Sequence, residues 1–128
     1  MHGNEQFVRE MYDAMARGDG RQLAQALTAE TRWVMPGRGI LSGTYTGPKE
    51  IFGLWKRIAE LSGGGLHLEL RDVLANDERA VALVSVRGRR ADRELDERQV
   101  AVLEFADGEL RSATFIYEDP QAYEAFWH

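Results

Sequence analysis

Glu97 and Gln99 stand two residues apart in a run, Glu94 to Phe105, that reads as a β-strand, so a carboxylate and an amide leave the same face of one strand. Tyr117 ends the run that follows it, Glu109 to Tyr117. Such a trio can exchange a proton, hold a carbonyl or hydroxyl, and donate to developing negative charge. A carboxylate buried without a partner is costly, so Glu97 points to solvent, is paired, or is functional. A bulge in the strand would instead turn Asp96 and Arg98 inward.

Other chemistries have less to work with. The chain has no Cys, which leaves no disulfide, no thiol nucleophile and no Cys-based zinc site. His2, His67 and His128 form no ligand spacing, so no metal is expected, and His67, alternating with leucines, belongs on the convex or dimer-facing side of a sheet. Ser85, Ser112 and Thr114 have no His nearby in sequence to activate them. The stretch Gly37 to Gly43 is not followed directly by a helix within a βαβ unit, as a dinucleotide fingerprint would be. Sixteen basic against 21 acidic residues leave a net charge of −5, which argues against nucleic-acid binding. Arg87, Arg89, Arg90 and Arg93 sit among Gly88, Asp92 and Glu94 and read as a solvated hairpin tip.

The elements that must position these residues fit one domain of 128 residues, 44% of them apolar. Phe7, Val8, Met11, Tyr12 and Met15 make the stripe of an amphipathic helix, with Asn4 as its N-cap and Gly18 at its end. Asp19 caps a short second helix carrying Leu23, Ala26 and Leu27. Thr31 to Met35 is a strand stopped by Pro36-Gly37, and a Gly-rich loop runs from Gly37 to Gly47. Pro48 opens a third helix whose buried stripe is Ile51, Leu54, Trp55, Ile58 and Leu61. After Gly65 the period changes to two: Leu66, Leu68 and Leu70 alternate with His67, Glu69 and Arg71. Strands Ala80 to Arg87, Glu94 to Phe105 and Glu109 to Tyr117 follow, the last two joined by Ala106-Asp107-Gly108. Asp119-Pro120 starts a terminal helix bearing Tyr123, Phe126 and Trp127. Helices followed by an antiparallel meander predict an α+β fold. No signal peptide and no membrane span of about 20 apolar residues is evident, so a cytoplasmic protein is expected.

In its order and punctuation the chain resembles the nuclear transport factor 2-like, or SnoaL-like, superfamily. The residues that carry the resemblance are Val8, Tyr12, Ala14 and Gly18-Asp19, then Trp33, Pro36-Gly37 and Leu41-Ser42-Gly43-Thr44-Tyr45-Thr46-Gly47 with Ile51. Asp72-Val73-Leu74-Ala75, Phe105-Ala106-Asp107-Gly108-Glu109-Leu110, Tyr117-Glu118-Asp119-Pro120 and Phe126-Trp127 complete it. The resemblance implies a cone-like barrel, in which N-terminal helices pack in a strongly curved, mainly antiparallel sheet with a cavity at the open end. It also implies a homodimer. The superfamily includes ketosteroid isomerases, epoxide hydrolases, polyketide cyclases, dehydratases and non-catalytic adaptors, so the fold alone does not name a reaction.

Residue by residue, the known chemistries are poorly represented. Where ketosteroid isomerases carry their base, tyrosine and second acid, this chain has Met35, Met11 and Ala101. Tyr12 adjoins one of these positions, but one step along a helix turns a side chain by about 100°. The Arg-x-Asp pair of the epoxide hydrolases falls on Gln99 and Ala101. The late acid of the SnoaL-type cyclases has only Glu118 and Asp119 as candidates, and Asp119 also reads as a helix N-cap and Glu118 as a solvent-facing charge at a strand end. If Ala101 faces the cavity, strand parity puts Glu97, Gln99, Leu103 and Phe105 there too. Ala113, Phe115 and Tyr117 would face it from the next strand and Ala82, Val84 and Val86 from the preceding one. Met11, Met15, Trp33, Met35, Leu54, Trp55 and Ile58 would complete a wall rich in Met and aromatics. Any one of these apolar residues could simply be core, and for a single Met or Trp that is the better reading, since cores take such residues first.

Two functions remain open. One is cofactor-independent acid-base isomerisation, cyclisation or dehydration of an apolar metabolite, with Glu97, Gln99 and Tyr117 as the catalytic residues. The other is ligand binding, or a dimeric adaptor role, without catalysis. A homodimer through the convex sheet face is expected in either case, because Val81 and Leu83 make a second apolar face on the strand Ala80 to Arg87.

Overall fold

The computed structural model describes residues 2–128; Met1, part of the N-terminal stretch read above for a signal peptide, lies outside the described residues. The elements are α1 (Gly3–Arg17), α2 (Gly20–Ala26), β1 (Arg32–Met35), β2 (Gly43–Thr46), α3 (Gly47–Ser62), β3 (His67–Ala75), β4 (Arg79–Arg90), β5 (Arg93–Ala106), β6 (Glu109–Tyr117) and α4 (Pro120–Trp127). The six strands form one sheet in the order β2-β1-β6-β5-β4-β3. Every neighbouring pair is antiparallel except β1 and β6, which run parallel. Helices α1 and α3 lie against the concave side, and the apolar stripes read from the sequence, Val8 and Met11 on α1 and Ile51 and Leu54 on α3, are buried there.

Local chemistry explains the element ends. Gly18 and Gly63 adopt φ of +68° and +60°, the left-handed conformation that lets a helix terminate while its last carbonyls stay bonded. Asp19 accepts from Gln22 N at the start of α2, and Asp119 accepts from Ala122 N at the start of α4. Asp107 and Gly108, at φ +54° and +76°, close the β5–β6 hairpin with the turn that matches strand twist.

Three local expectations need correction. Asn4 does not cap α1: His2 does, its Nδ1 accepting from Asn4 N. Asn4 is instead buried inside the first turn, where its amide donates to the carbonyls of Asn76 and Asp77 and ties α1 to the β3–β4 turn. The Gly-rich loop is not all loop, since Gly43–Thr46 pairs with β1 from Met35 to Arg32 and forms a sheet edge. The arginine cluster is not simply a solvated tip. Arg89 pairs with Glu94 there, but Arg90 turns inward, and its Nε and Nη1 donate to Leu61 O at 2.8 Å and Phe126 O at 2.6 Å. Those carbonyls lie in the last turns of α3 and α4, where helix geometry leaves acceptors without partners. Among the described residues, no helix is long and apolar enough to cross a membrane.

Candidate functional site

A cavity of about 640 Å³ opens between the helices and the concave face of the sheet. Trp33 from β1 meets Trp55 of α3 edge to face, with ring centroids 5.2 Å apart, and Phe115 of β6 at 5.0 Å. Phe52, one turn before Trp55, adds another edge-to-face contact at 5.3 Å. Met15, Met35 and Ile58 fill the wall between these rings. Of the sequence-predicted ligand residues, Met15, Trp33, Met35, Trp55, Ile58 and Phe115 thus border the cavity, as does Gln99.

The other predicted residues do not reach it, each for a physical reason. Met11 and Leu54 are 3% and 2% exposed because they point from α1 and α3 into the core, while their neighbours Tyr12 and Trp55 take the wall. Ala101 and Leu103 are sealed farther along β5, where the narrowing cone is filled with side chains. Tyr117 is displaced by Tyr123, which stacks on it with centroids 3.8 Å apart and planes at 17°, and presents its own ring to the cavity. Tyr117 Oη donates to Met35 Sδ at 3.7 Å.

Glu97 keeps the inward parity read from the sequence and is only 6% exposed. No bulge interrupts β5 there, and Asp96 and Arg98 stay outside. Yet its carboxyl lies under the start of α4, bordering a separate open groove with Glu118, Asp119 and Pro120 rather than the cavity. Oε2 accepts from Asp119 N at 3.3 Å, and Oε1 has no hydrogen-bond partner among the described residues. Burial pushes its pKa up to about 7; the Asp119 N–H opposes this, and the neighbouring Asp119 and Glu118 carboxylates add to it. The two cyclase-type candidates have other work: Glu118 pairs with Arg98, and Asp119 caps α4.

Sequence reasoning missed Tyr12, Phe52, Lys56 and Tyr123 in the wall. Phe52, Trp55, Lys56 and Ala59 make a helical face beside the core stripe of α3, so spacing held a signal for two of them. Tyr123 carried none, because its place depends on how α4 docks. His67 is exposed and sits at the cavity rim, where β3 forms the edge of the sheet. Burial raises the pKa of Tyr12 and Tyr123, so both phenols stay protonated at neutral pH. Among the described residues, no group of three or more His, Cys, Asp or Glu is placed to hold a metal ion.

The chain and its fold are matched among known proteins. The SnoaL-like domain family matches residues 8–113. The chain belongs to the SnoaL-like family. It is 31% identical over 121 residues to the uncharacterized protein Rv0034 of Mycobacterium tuberculosis (strain ATCC 25618 / H37Rv), covering 94% of this chain and 92% of that one. Bal32a, from a soil-derived mobile gene cassette, superposes with a TM-score of 0.93 at 28% identity, covering 98% of this chain and 97% of Bal32a. A nuclear transport factor 2-like protein from Burkholderia pseudomallei K96243 superposes at 0.84 with 24% identity and 98% coverage of both chains, which shows the shared cone fold. Of Met35, Met11 and Ala101, which the sequence aligns with the base, tyrosine and second acid of the ketosteroid isomerases, only Met35 borders the cavity.

Proposed function

We propose that this protein binds a flat, largely apolar metabolite in the cone, without a cofactor. The observation that carries the reading is the wall: six aromatic side chains and two methionines around about 640 Å³, a volume ordinary for small-molecule sites. The buried Gln99 amide supplies one fixed polar contact. Titration with 2-acetonaphthone, followed by quenching of tryptophan fluorescence, tests this. Saturable quenching in the micromolar range is expected, and Trp55→Ala should weaken binding about tenfold or more through lost ring contact. A titration without saturation up to the solubility limit would discard the reading.

One observation favours a second reading, acid-base isomerisation, cyclisation or dehydration of a molecule that reaches the groove beside α4 into which Glu97 opens. Glu97 is an inward carboxylate whose pKa of about 7 suits proton exchange at neutral pH. Tyr117 and Gln99 flank it across and along the sheet, Gln99 and Tyr117 being register partners. With an identified substrate, Glu97→Gln should keep binding and abolish turnover. Unchanged turnover removes Glu97 as the base, and a wild type that binds ligands but converts none leaves the binding reading alone.

The convex face supports a homodimer as part of the same proposal. Leu83, Val100 and Ile116 are register partners across three strands, and Leu74, Val81 and Val102 make the adjacent row. Leu74, Leu83 and Ile116 are 57%, 37% and 55% exposed, an apolar patch that an isolated chain leaves in water. Light scattering at micromolar concentration should give twice the 14.5 kDa chain mass, and Ile116→Glu should return it to one. A wild-type monomer would sink the dimer.

A further inference from the structure

The cavity has a chemical bias that the protein as a whole lacks. Of 128 residues 21 are acidic, yet not one of them borders the cavity. The nearest inward carboxylate, Glu97, opens into a different groove. The charged or chargeable groups that do border it are Lys56 and His67, both at the rim, with the Lys56 ammonium 4.0 Å from Glu60 and its side chain 80% exposed. Inside, Tyr12 and Gln99 are 7% and 8% exposed. Neither side chain has a hydrogen-bond partner among the described residues, and neither is walled off, so both polar ends are open to the cavity. In residues otherwise buried, polar ends that open only into a cavity find their partner there, in water or in a ligand. A phenol that stays protonated offers a donor, and the amide offers two donors and an acceptor.

Resting on the binding reading above, we infer that the cavity selects apolar ligands whose polar functions are hydrogen-bond-accepting oxygens, such as a ketone, enolate or carboxylate, held by Tyr12 and Gln99, and that it rejects ammonium ligands. An ammonium group carried into an apolar wall with no anion loses its hydration without replacement. Aromatic rings can hold cations over their faces. Here the pairs Trp33–Trp55 and Phe52–Trp55, at 85° and 81°, each cover one ring face with the edge of the other ring, which leaves fewer faces for a cation. A carbonyl oxygen, by contrast, finds donors in the Tyr12 hydroxyl and the Gln99 amide that border the cavity.

A series with one ring system tests this: 2-acetonaphthone, 2-naphthoate and 2-naphthylmethylammonium, each titrated calorimetrically. The ketone and the carboxylate should bind at least about tenfold more tightly than the ammonium. Tyr12→Phe, which removes only the hydroxyl, should cut ketone affinity about fivefold to tenfold. Gln99→Glu places an acid in the wall and should reverse the order of naphthoate and the ammonium. Equal affinity for all three probes would leave the binding reading intact and overturn this inference. An ammonium that binds as tightly as the ketone, or a Gln99→Glu variant with no reversal, would overturn it as well. A protein that takes none of the three loses the binding reading, and the selectivity falls with it.

Discussion

Replacing Arg90 with alanine is expected to destabilise the protein by about 3 kcal/mol. The guanidinium joins three elements that sequence keeps far apart. It projects from the end of β4 and donates to Leu61 O on α3 and Phe126 O on α4. Both acceptors belong to helix C-terminal turns, where carbonyls lack intrahelical donors and the helix dipole favours a positive charge. Two charge-assisted hydrogen bonds contribute about 1.5 kcal/mol each when their acceptors would otherwise be stranded. The guanidinium carbon also lies 6.0 Å from the Phe126 ring and 5.8 Å from that of Trp127, a further small attraction. Arg90→Lys keeps the charge but not the fork, so it should recover less than half of the loss. Urea midpoints of the three proteins decide the matter. A loss under about 1 kcal/mol for Arg90→Ala would mean that water serves those carbonyls equally well.

Glu97→Gln should change how stability depends on pH more than it changes stability at any one pH. The carboxyl is pushed up to about 7 in the folded chain from an ordinary value of 4.5. Its contribution is therefore fully present below about pH 4.5 and is lost as pH rises through 7. The groups facing it do not supply a compensating charge. Glu118 is already paired with Arg98, Asp119 is capping α4, and burial keeps Tyr117 and Tyr123 protonated. Ionising Glu97 thus leaves a poorly solvated carboxylate whose one bonded oxygen depends on the Asp119 N–H. The expected loss between pH 5 and pH 8.5 is about 2 kcal/mol, reduced from the full shift because the adjoining groove admits water. A glutamine of the same shape stays neutral throughout. The variant should match the wild type near pH 5 and exceed it by about 2 kcal/mol near pH 8.5. Parallel stability curves across that range would show that Glu97 titrates normally.

Much of the architecture was legible because it is local. The stripe on α3 follows from a period of 3.6, and the alternation after Gly65 from a period of two, whatever the rest of the chain does. Gly18 and Asp119 were readable because a helix end makes the same demand on its few flanking residues in any protein. The inward parity of Glu97 and Gln99 came from the same rule, and the intact register of β5 with β4 preserved it. Asn4 was misread because its side chain found two distant carbonyls, at Asn76 and Asp77, that outcompete a cap.

By itself, then, the sequence determined the fold class, the order of the elements and which residues turn inward, since these depend on periodicity and short-range stereochemistry. It did not determine which inward residues border space and which border one another. That choice was made where separate elements meet. Tyr123 takes the wall from Tyr117 only because α4 folds back across β6, and Glu97 is diverted into its own groove by the start of the same helix. Arg90 was drawn from a hairpin tip into the frame because two helix ends happen to converge on it. Inward-facing side chains look alike along a chain; only the packing of one layer on another divides them into core and cavity, because that division depends on what fills the space opposite.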